Sequence, residues 1–114
     1  MLELDEDRRL FERVMARFPI KFKESRNDFG NEIFLTDVSA QGIKFVTRER
    51  LFMHENISLL VKLPDNQPPL NLNGQIIWTK NKAPGVWEIG LKFHKIRLMG
   101  IQRLFNFAIQ CQSS

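Results

Sequence analysis

The sequence predicts a mainly β protein, a six-stranded antiparallel β-barrel with a C-terminal α-helix. Apolar and polar residues alternate in six segments from Arg17 onward, as in strands that bury one face. Short connections rich in proline, asparagine and glycine follow the later segments and favour antiparallel neighbours. Closing the sheet buries all six apolar faces and removes exposed strand edges.

The six strands are predicted at successive positions along the chain. Ile20 and Phe22 mark the first strand, residues 32–38 the second and residues 43–46 the third. The apolar positions of the last three are Ile57, Leu59, Val61 and Leu63, then Leu70, Leu72, Ile76 and Trp78, and finally Trp87, Ile89, Leu91 and Phe93. Each set has the period of two that one face of a strand requires.

The two ends of the chain have a different pattern. One helical stripe near the C-terminus consists of Ile101, Leu104, Phe105, Ala108 and Ile109. Near the N-terminus, helical spacing is also found for Leu10, Phe11, Val14, Met15 and Phe18. That segment fits a short helix and an extended arm equally well. We therefore expect one domain, with an N-terminal arm over 1–16, a barrel over 17–96 and a capping helix over 97–114.

Composition limits the class of protein and its location. The 114 residues are 43% hydrophobic and 26% charged, which is typical of one globular domain. Cys111 is the only cysteine, so neither an internal disulfide nor a cysteine zinc site is expected. Residues 1–7 lack the pattern of a signal peptide, and the apolar runs are far shorter than the roughly 20 residues of a membrane-spanning helix. We expect a cytoplasmic protein without membrane insertion.

The net charge of +4 makes an anionic partner plausible. Catalysis is not expected, because the sequence offers no nucleophile with a base, no carboxylate pair with a metal site and no phosphate-cradling glycine loop. His54 and His94 lie far apart and lack metal-ligand spacing. The sequence therefore predicts a binding protein and not an enzyme, with no metal and no cofactor.

The first candidate binding cluster is formed by Arg8, Arg9 and Arg13. Guanidinium groups are planar and permanently charged, and they match phosphate oxygens and the O6/N7 edge of guanine. On composition alone, a solvated helix whose arginines pair with Asp5 or Glu12 is the favoured interpretation.

The second candidate cluster is formed by Asp37, Ser39 and Gly42, between the second and third strands. A carboxylate there can accept hydrogen bonds from N1 and N2 of guanine, and the serine hydroxyl can add another. Gly42 permits a positive φ or a close backbone approach to a ligand. Taken alone, a turn in which Asp37 and Ser39 bind nearby backbone amides is the favoured interpretation.

The two clusters together resemble the motifs of the PilZ domain family. An R-x-x-x-R element precedes the first strand, and D-x-S-x-x-G lies between the second and third strands. The matching residues are Arg9 and Arg13, preceded by Arg8, and then Asp37, Ser39 and Gly42. The strands over 74–78 and 90–93 and the trailing helix also fit, so the resemblance covers nearly the whole chain.

The resemblance implies a bacterial second-messenger sensor that binds cyclic di-GMP. In such a domain the N-terminal arginine segment would fold over the nucleotide and order on binding. Arg9 and Arg13 would bind phosphates and guanine edges, while Asp37 and Ser39 hold a guanine and Gly42 leaves room for it. Arg8, directly before the motif, implies a stacked pair of nucleotides. Trp78 is a further candidate, since it could reach the ligand from a neighbouring strand.

Two other functions stay open at this stage. A barrel that binds RNA or single-stranded DNA needs outward-facing aromatic residues, but Phe22, Phe45 and Phe93 fall on the apolar phase of their strands, so nucleic acid is the weaker expectation. A protein adaptor that works without nucleotide is the second. A sensor of this size also needs a downstream protein partner, and a homodimer is compatible with the sequence.

Overall fold

The computed structural model describes residues 13–26, 28–30, 33–94 and 98–113. The elements are β1 (Val14–Phe22), β2 (Phe34–Val38), β3 (Gly42–Thr47), β4 (Asn56–Val61), β5 (Leu70–Ala83), β6 (Val86–Phe93) and α1 (Leu98–Ser113). All neighbouring strands are antiparallel, and they close a barrel in the order β1-β2-β3-β6-β5-β4. The predicted fold class is therefore confirmed.

Strand β1 begins at Val14, within the segment for which the sequence allowed a helix or an arm, and three residues before the expected start of the barrel at residue 17. Val14 and Phe18 are four residues apart, so they satisfy a helical period and a strand period alike. Backbone pairing decides between the two periods, because Val14 lies opposite Val38 and Phe18 lies opposite Leu35 in β2.

The core of the barrel is built from the alternating apolar positions that the sequence predicts. Every strand contributes buried side chains, including Ile20, Leu35, Phe45, Leu59, Ile76 and Leu91. Helix α1 closes the core with Leu104 and Ala108, which are fully buried, and it packs mainly against β1. Ile109, the last residue of the predicted stripe, is 51% exposed. Within the described ranges, no helix has the length and apolar character needed to cross a membrane.

An ion pair fixes α1 to the connection between β4 and β5. Arg103 donates from Nε to Asp65 Oδ2 at 2.7 Å, and from Nη2 to Asp65 Oδ1 at 2.9 Å and to the Pro68 carbonyl at 2.9 Å. The hydrogen bonds from Arg103 are the main reason why the pKa of Asp65 lies below its usual value of 3.8. The contact therefore stabilises the fold most strongly while Asp65 is ionised.

We predict that Asp65→Asn lowers stability at neutral pH and that the deficit shrinks in acid. A carboxyl whose pKa is lower in the folded state contributes stability above its unfolded-state pKa and loses it as the pH falls through the folded-state pKa. The difference in urea midpoint between the wild type and Asp65→Asn should thus be full above about pH 5 and shrink below about pH 3.8. Glu24→Gln, on the exposed connection after β1, is the control. A deficit that does not change with pH contradicts this role.

Candidate ligand-binding site

The site is centred on Asp37, a buried carboxylate near the end of β2. Asp37 is 4% exposed, and each of its oxygens contacts a cation. Arg13 Nη1 donates to Oδ1 at 2.6 Å, and Lys44 Nζ lies 3.0 Å from Oδ2. A carboxylate removed from water requires such partners, because its desolvation is costly. Arg13 and Asp37, one from each predicted cluster, are thus in direct contact.

Ser39 closes the turn between β2 and β3. Its amide donates to the Gly42 carbonyl at 2.8 Å, and its Oγ accepts from the amides of Gln41 and Gly42 at 3.3 Å each. These bonds match the turn that the sequence favoured for Ser39 when this cluster is taken alone. Asp37, by contrast, contacts cationic side chains instead of acting as a turn residue.

Gly42 is required by the close approach of β3 to β6. It lies opposite Lys92, and a Cβ at this position would overlap the carbonyl of Leu91. Among the described glycines, Gly85 has a positive φ and Gly42 does not. Of the two roles that the sequence allowed for Gly42, a positive φ is therefore not adopted. The close approach is real, and it is made to the backbone of the protein's own neighbouring strand.

A half-open cavity of about 310 Å³ lies beside this corner. It is lined by Arg13, Ser39, Gln41, Gly42, Ile77, Leu91 and Lys92. The lining carries two cations, Arg13 and Lys92, and no carboxylate. Asp37 pairs with Arg13 but also with Lys44, so this corner keeps a net positive charge that favours an anion. A larger cavity, of about 510 Å³ at the other end of β1, instead combines Lys23 with Glu24.

Three residues of this cavity were not assigned a role from the sequence: Gln41, Ile77 and Lys92. Gln41 is held there because its carbonyl accepts from the amide of Phe93 at 2.8 Å. Lys92 joins the site because β6 pairs with β3, which sets it opposite Gly42. Gln41 lies within the D-x-S-x-x-G motif, and that position was a signal for it. Ile77 and Lys92 depend on the strand register, which periodicity alone does not give.

Other candidate residues stand apart from the cavity or outside the described residues. Trp78 is half-buried, and its indole packs on Gly90 of β6. Arg8 and Arg9 lie outside the described residues. His94 Nε2 is 2.6 Å from Asn56 Oδ1, and the described residues hold no group of three or more histidine, cysteine, aspartate or glutamate side chains able to bind a metal.

Phe22, Phe45 and Phe93, the three phenylalanines weighed against a nucleic-acid platform, do not form one in the described part of the chain. Phe45 and Phe93 are buried, and Phe22 is partly buried and packed against the core. Base stacking needs aromatic faces open to solvent beside basic residues. The prediction that these three residues serve the core is therefore confirmed.

The described residues thus form a closed antiparallel barrel that has a cationic cavity at one corner. The family model of the PilZ domain matches residues 7–110, and the chain belongs to this family. PilZ domains are cyclic di-GMP-binding signalling modules that work as binding and effector domains and not as enzymes.

A solved structure of similar fold is that of the Bacillus subtilis Inhibitor of motility (MotI/DgrA). The two superpose with a TM-score of 0.69 at 19% sequence identity, over 93% of this chain and 51% of that one. The chain thus spans about half the length of that protein, and the likeness concerns the fold. A search of curated proteins finds no match.

We predict that Gly42→Ala destabilises the barrel by about 1–3 kcal/mol, because the added methyl group would force β3 away from the Leu91 carbonyl. Unfolding in urea measures this loss. Gly30→Ala is the matched control, since a Cβ at Gly30 meets nothing within 4 Å, and it should change stability by less than about 0.5 kcal/mol. Equal stability of the two variants would show that the strands can separate at Gly42 without cost.

Proposed function

We propose that this chain is a cyclic di-GMP sensor that binds the nucleotide in the cavity beside Asp37 and passes the signal to a protein partner. The observation that carries the proposal is the contact between Arg13 and Asp37 at the rim of a cationic cavity. Membership of the PilZ family adds the identity of the ligand. No cofactor takes part in this proposal.

The charge of the described site suits a ligand with two phosphodiester groups. Asp37 offsets one of its two cationic neighbours, Arg13 and Lys44, which leaves one positive charge. Lys92 adds a second at the cavity wall. Cyclic di-GMP carries one negative charge on each phosphodiester, so the charges of ligand and site are complementary.

Arg13 is the residue best prepared to bind the nucleotide. Its side chain is 51% exposed although Nη1 is bonded to Asp37. A guanidinium has five N–H donors in a fixed fork, so the remaining donors can bind a phosphate or the edge of a guanine while the contact with Asp37 stays intact. Arg9, the first arginine of the R-x-x-x-R motif, and Arg8, directly before it, would add their guanidinium groups from the arm, as the family resemblance implies.

Asp37 acts in this proposal by holding Arg13 in place. Both of its oxygens face cations and its side chain is only 6% exposed, which leaves little surface for a base. Fixing a long side chain before binding lowers the entropy cost of association. Ser39 and Gly42 then shape the turn beside the ligand. A hydrogen bond from the Ser39 hydroxyl to a guanine remains part of the proposal, and it would replace the 3.3 Å bond that this hydroxyl donates to the Gly42 carbonyl.

The later steps of signalling follow from the same arrangement. Closure of the arm over the nucleotide changes the surface that a downstream protein meets, which gives a relay to motility, biofilm or exopolysaccharide control, as the family implies. A stacked pair of nucleotides, a contact with Trp78, a homodimer and a cytoplasmic location also remain predictions of the sequence.

We predict that the protein binds cyclic di-GMP in a calorimetric titration and that GTP and cyclic di-AMP bind far more weakly. Arg13→Ala should weaken binding by about tenfold to more than a hundredfold, because each hydrogen bond to a charged group contributes about 1.5–3 kcal/mol. Arg13→Lys keeps the charge but not the forked donors of the guanidinium group, so its affinity should lie between that of the wild type and that of Arg13→Ala. Arg26→Ala, an exposed arginine on the connection between β1 and β2, is the control. A wild-type protein that does not bind cyclic di-GMP in this titration overturns the proposal.

We predict that Arg13 and Asp37 act as one unit in binding. If Asp37 works only through Arg13, the double variant Arg13→Ala, Asp37→Asn should bind cyclic di-GMP as weakly as Arg13→Ala and no more weakly. Circular dichroism would confirm that each variant is folded. If the affinity losses of the two single variants multiply in the double variant, Asp37 contacts the nucleotide itself.

A further inference from the structure

A β-bulge brings an apolar side chain to the cavity. Ile76 of β5 pairs with Leu91 of β6, and Trp78 pairs with Gly90. Leu91 and Gly90 are adjacent in β6, whereas Ile76 and Trp78 are two residues apart, so Ile77 is an extra residue in β5. Bulges bend a strand and re-aim a side chain, and they occur often beside functional sites. Ile77 is 41% exposed and lines the cavity that contains Arg13.

Lys92 of β6 lines the same cavity. It is exposed, and it pairs with Gly42 of β3 on one side and with Gln75 of β5 on the other. The narrow β3–β6 contact at Gly42 therefore sets Lys92 beside the D-x-S-x-x-G turn, although the two are far apart in the sequence. Its ammonium group is a flexible point charge suited to a phosphate.

We propose that Ile77 and Lys92 form a second half of the nucleotide site, outside both sequence motifs. Ile77 supports the face of a purine, and Lys92 binds a phosphodiester of the same ligand. Cations and a nearby apolar surface are what a nucleotide requires, because its phosphates are charged and its base has an apolar face. This inference rests on the proposed function, since it adds residues to that binding site.

The two residues have different signatures in calorimetry with cyclic di-GMP. Ile77→Ala should weaken binding by about threefold to tenfold at any salt concentration, because the lost contact is apolar. Lys92→Ala should weaken binding by a similar factor at about 50 mM salt, and the loss should shrink at about 500 mM, where exposed charges are screened.

Matched controls separate these effects from general ones. Ile109→Ala removes an isoleucine of similar exposure from α1, and Lys23→Ala removes an exposed lysine after the other end of β1. Neither residue lines the cavity, so both variants should bind as the wild type does. Should Ile77→Ala prove unstable, two other variants test the apolar contact in the same titration. Ile77→Val shortens the side chain and keeps it apolar, whereas Ile77→Ser shortens it and makes it polar.

Failure of this inference is distinct from failure of the proposed function. If the wild type binds cyclic di-GMP and Ile77→Ala and Lys92→Ala bind it equally well, the inference alone is overturned. The proposed site at Arg13 is then unaffected. Wild type that does not bind the nucleotide overturns both. A loss in Lys92→Ala that is the same at both salt concentrations contradicts the phosphate contact.

Discussion

A carboxylate buried between two cations is the constraint on which the site depends. Asp37 lies in β2, with Met15 of β1 opposite on one side and Lys44 of β3 on the other. Because a buried charge must be paired, the Asp37 carboxylate holds the side chain of Arg13, the residue directly before β1. The same interaction that satisfies the fold therefore sets a guanidinium at the mouth of the cavity.

The wall of the cavity follows from two irregularities in otherwise regular strands. Gly42 lets β3 and β6 approach more closely than a side chain would allow, and the extra residue at Ile77 bends β5 against β6. Both occur near the end of the barrel where the turn at Ser39 joins β2 to β3. The cavity is thus a product of strand packing, and its charge comes from the side chains at its rim.

Much of this arrangement can be predicted from the sequence, and the limits have physical causes. The barrel follows from the period of two, and Asp37 and Arg13 follow from motif spacing. The start of β1 cannot be predicted in this way, because Val14 and Phe18 satisfy helical and strand periods alike. Only pairing with the neighbouring strand β2 decides that this segment is a strand. The reason for Gly42 and the roles proposed for Ile77 and Lys92 depend on register between strands distant in the chain, which no local pattern encodes.

The most direct test is an amide NMR titration of the ¹⁵N-labelled protein with cyclic di-GMP. We expect the largest chemical-shift changes at residues 39–42 and at the amides of Arg13, Ile77 and Lys92. The amides of the turn at residues 83–86 and of the connection at residues 65–67, which lie away from the cavity, should not shift. Largest changes at those distant segments, or none in the turn at Ser39, would contradict a site built on the contact between Arg13 and Asp37.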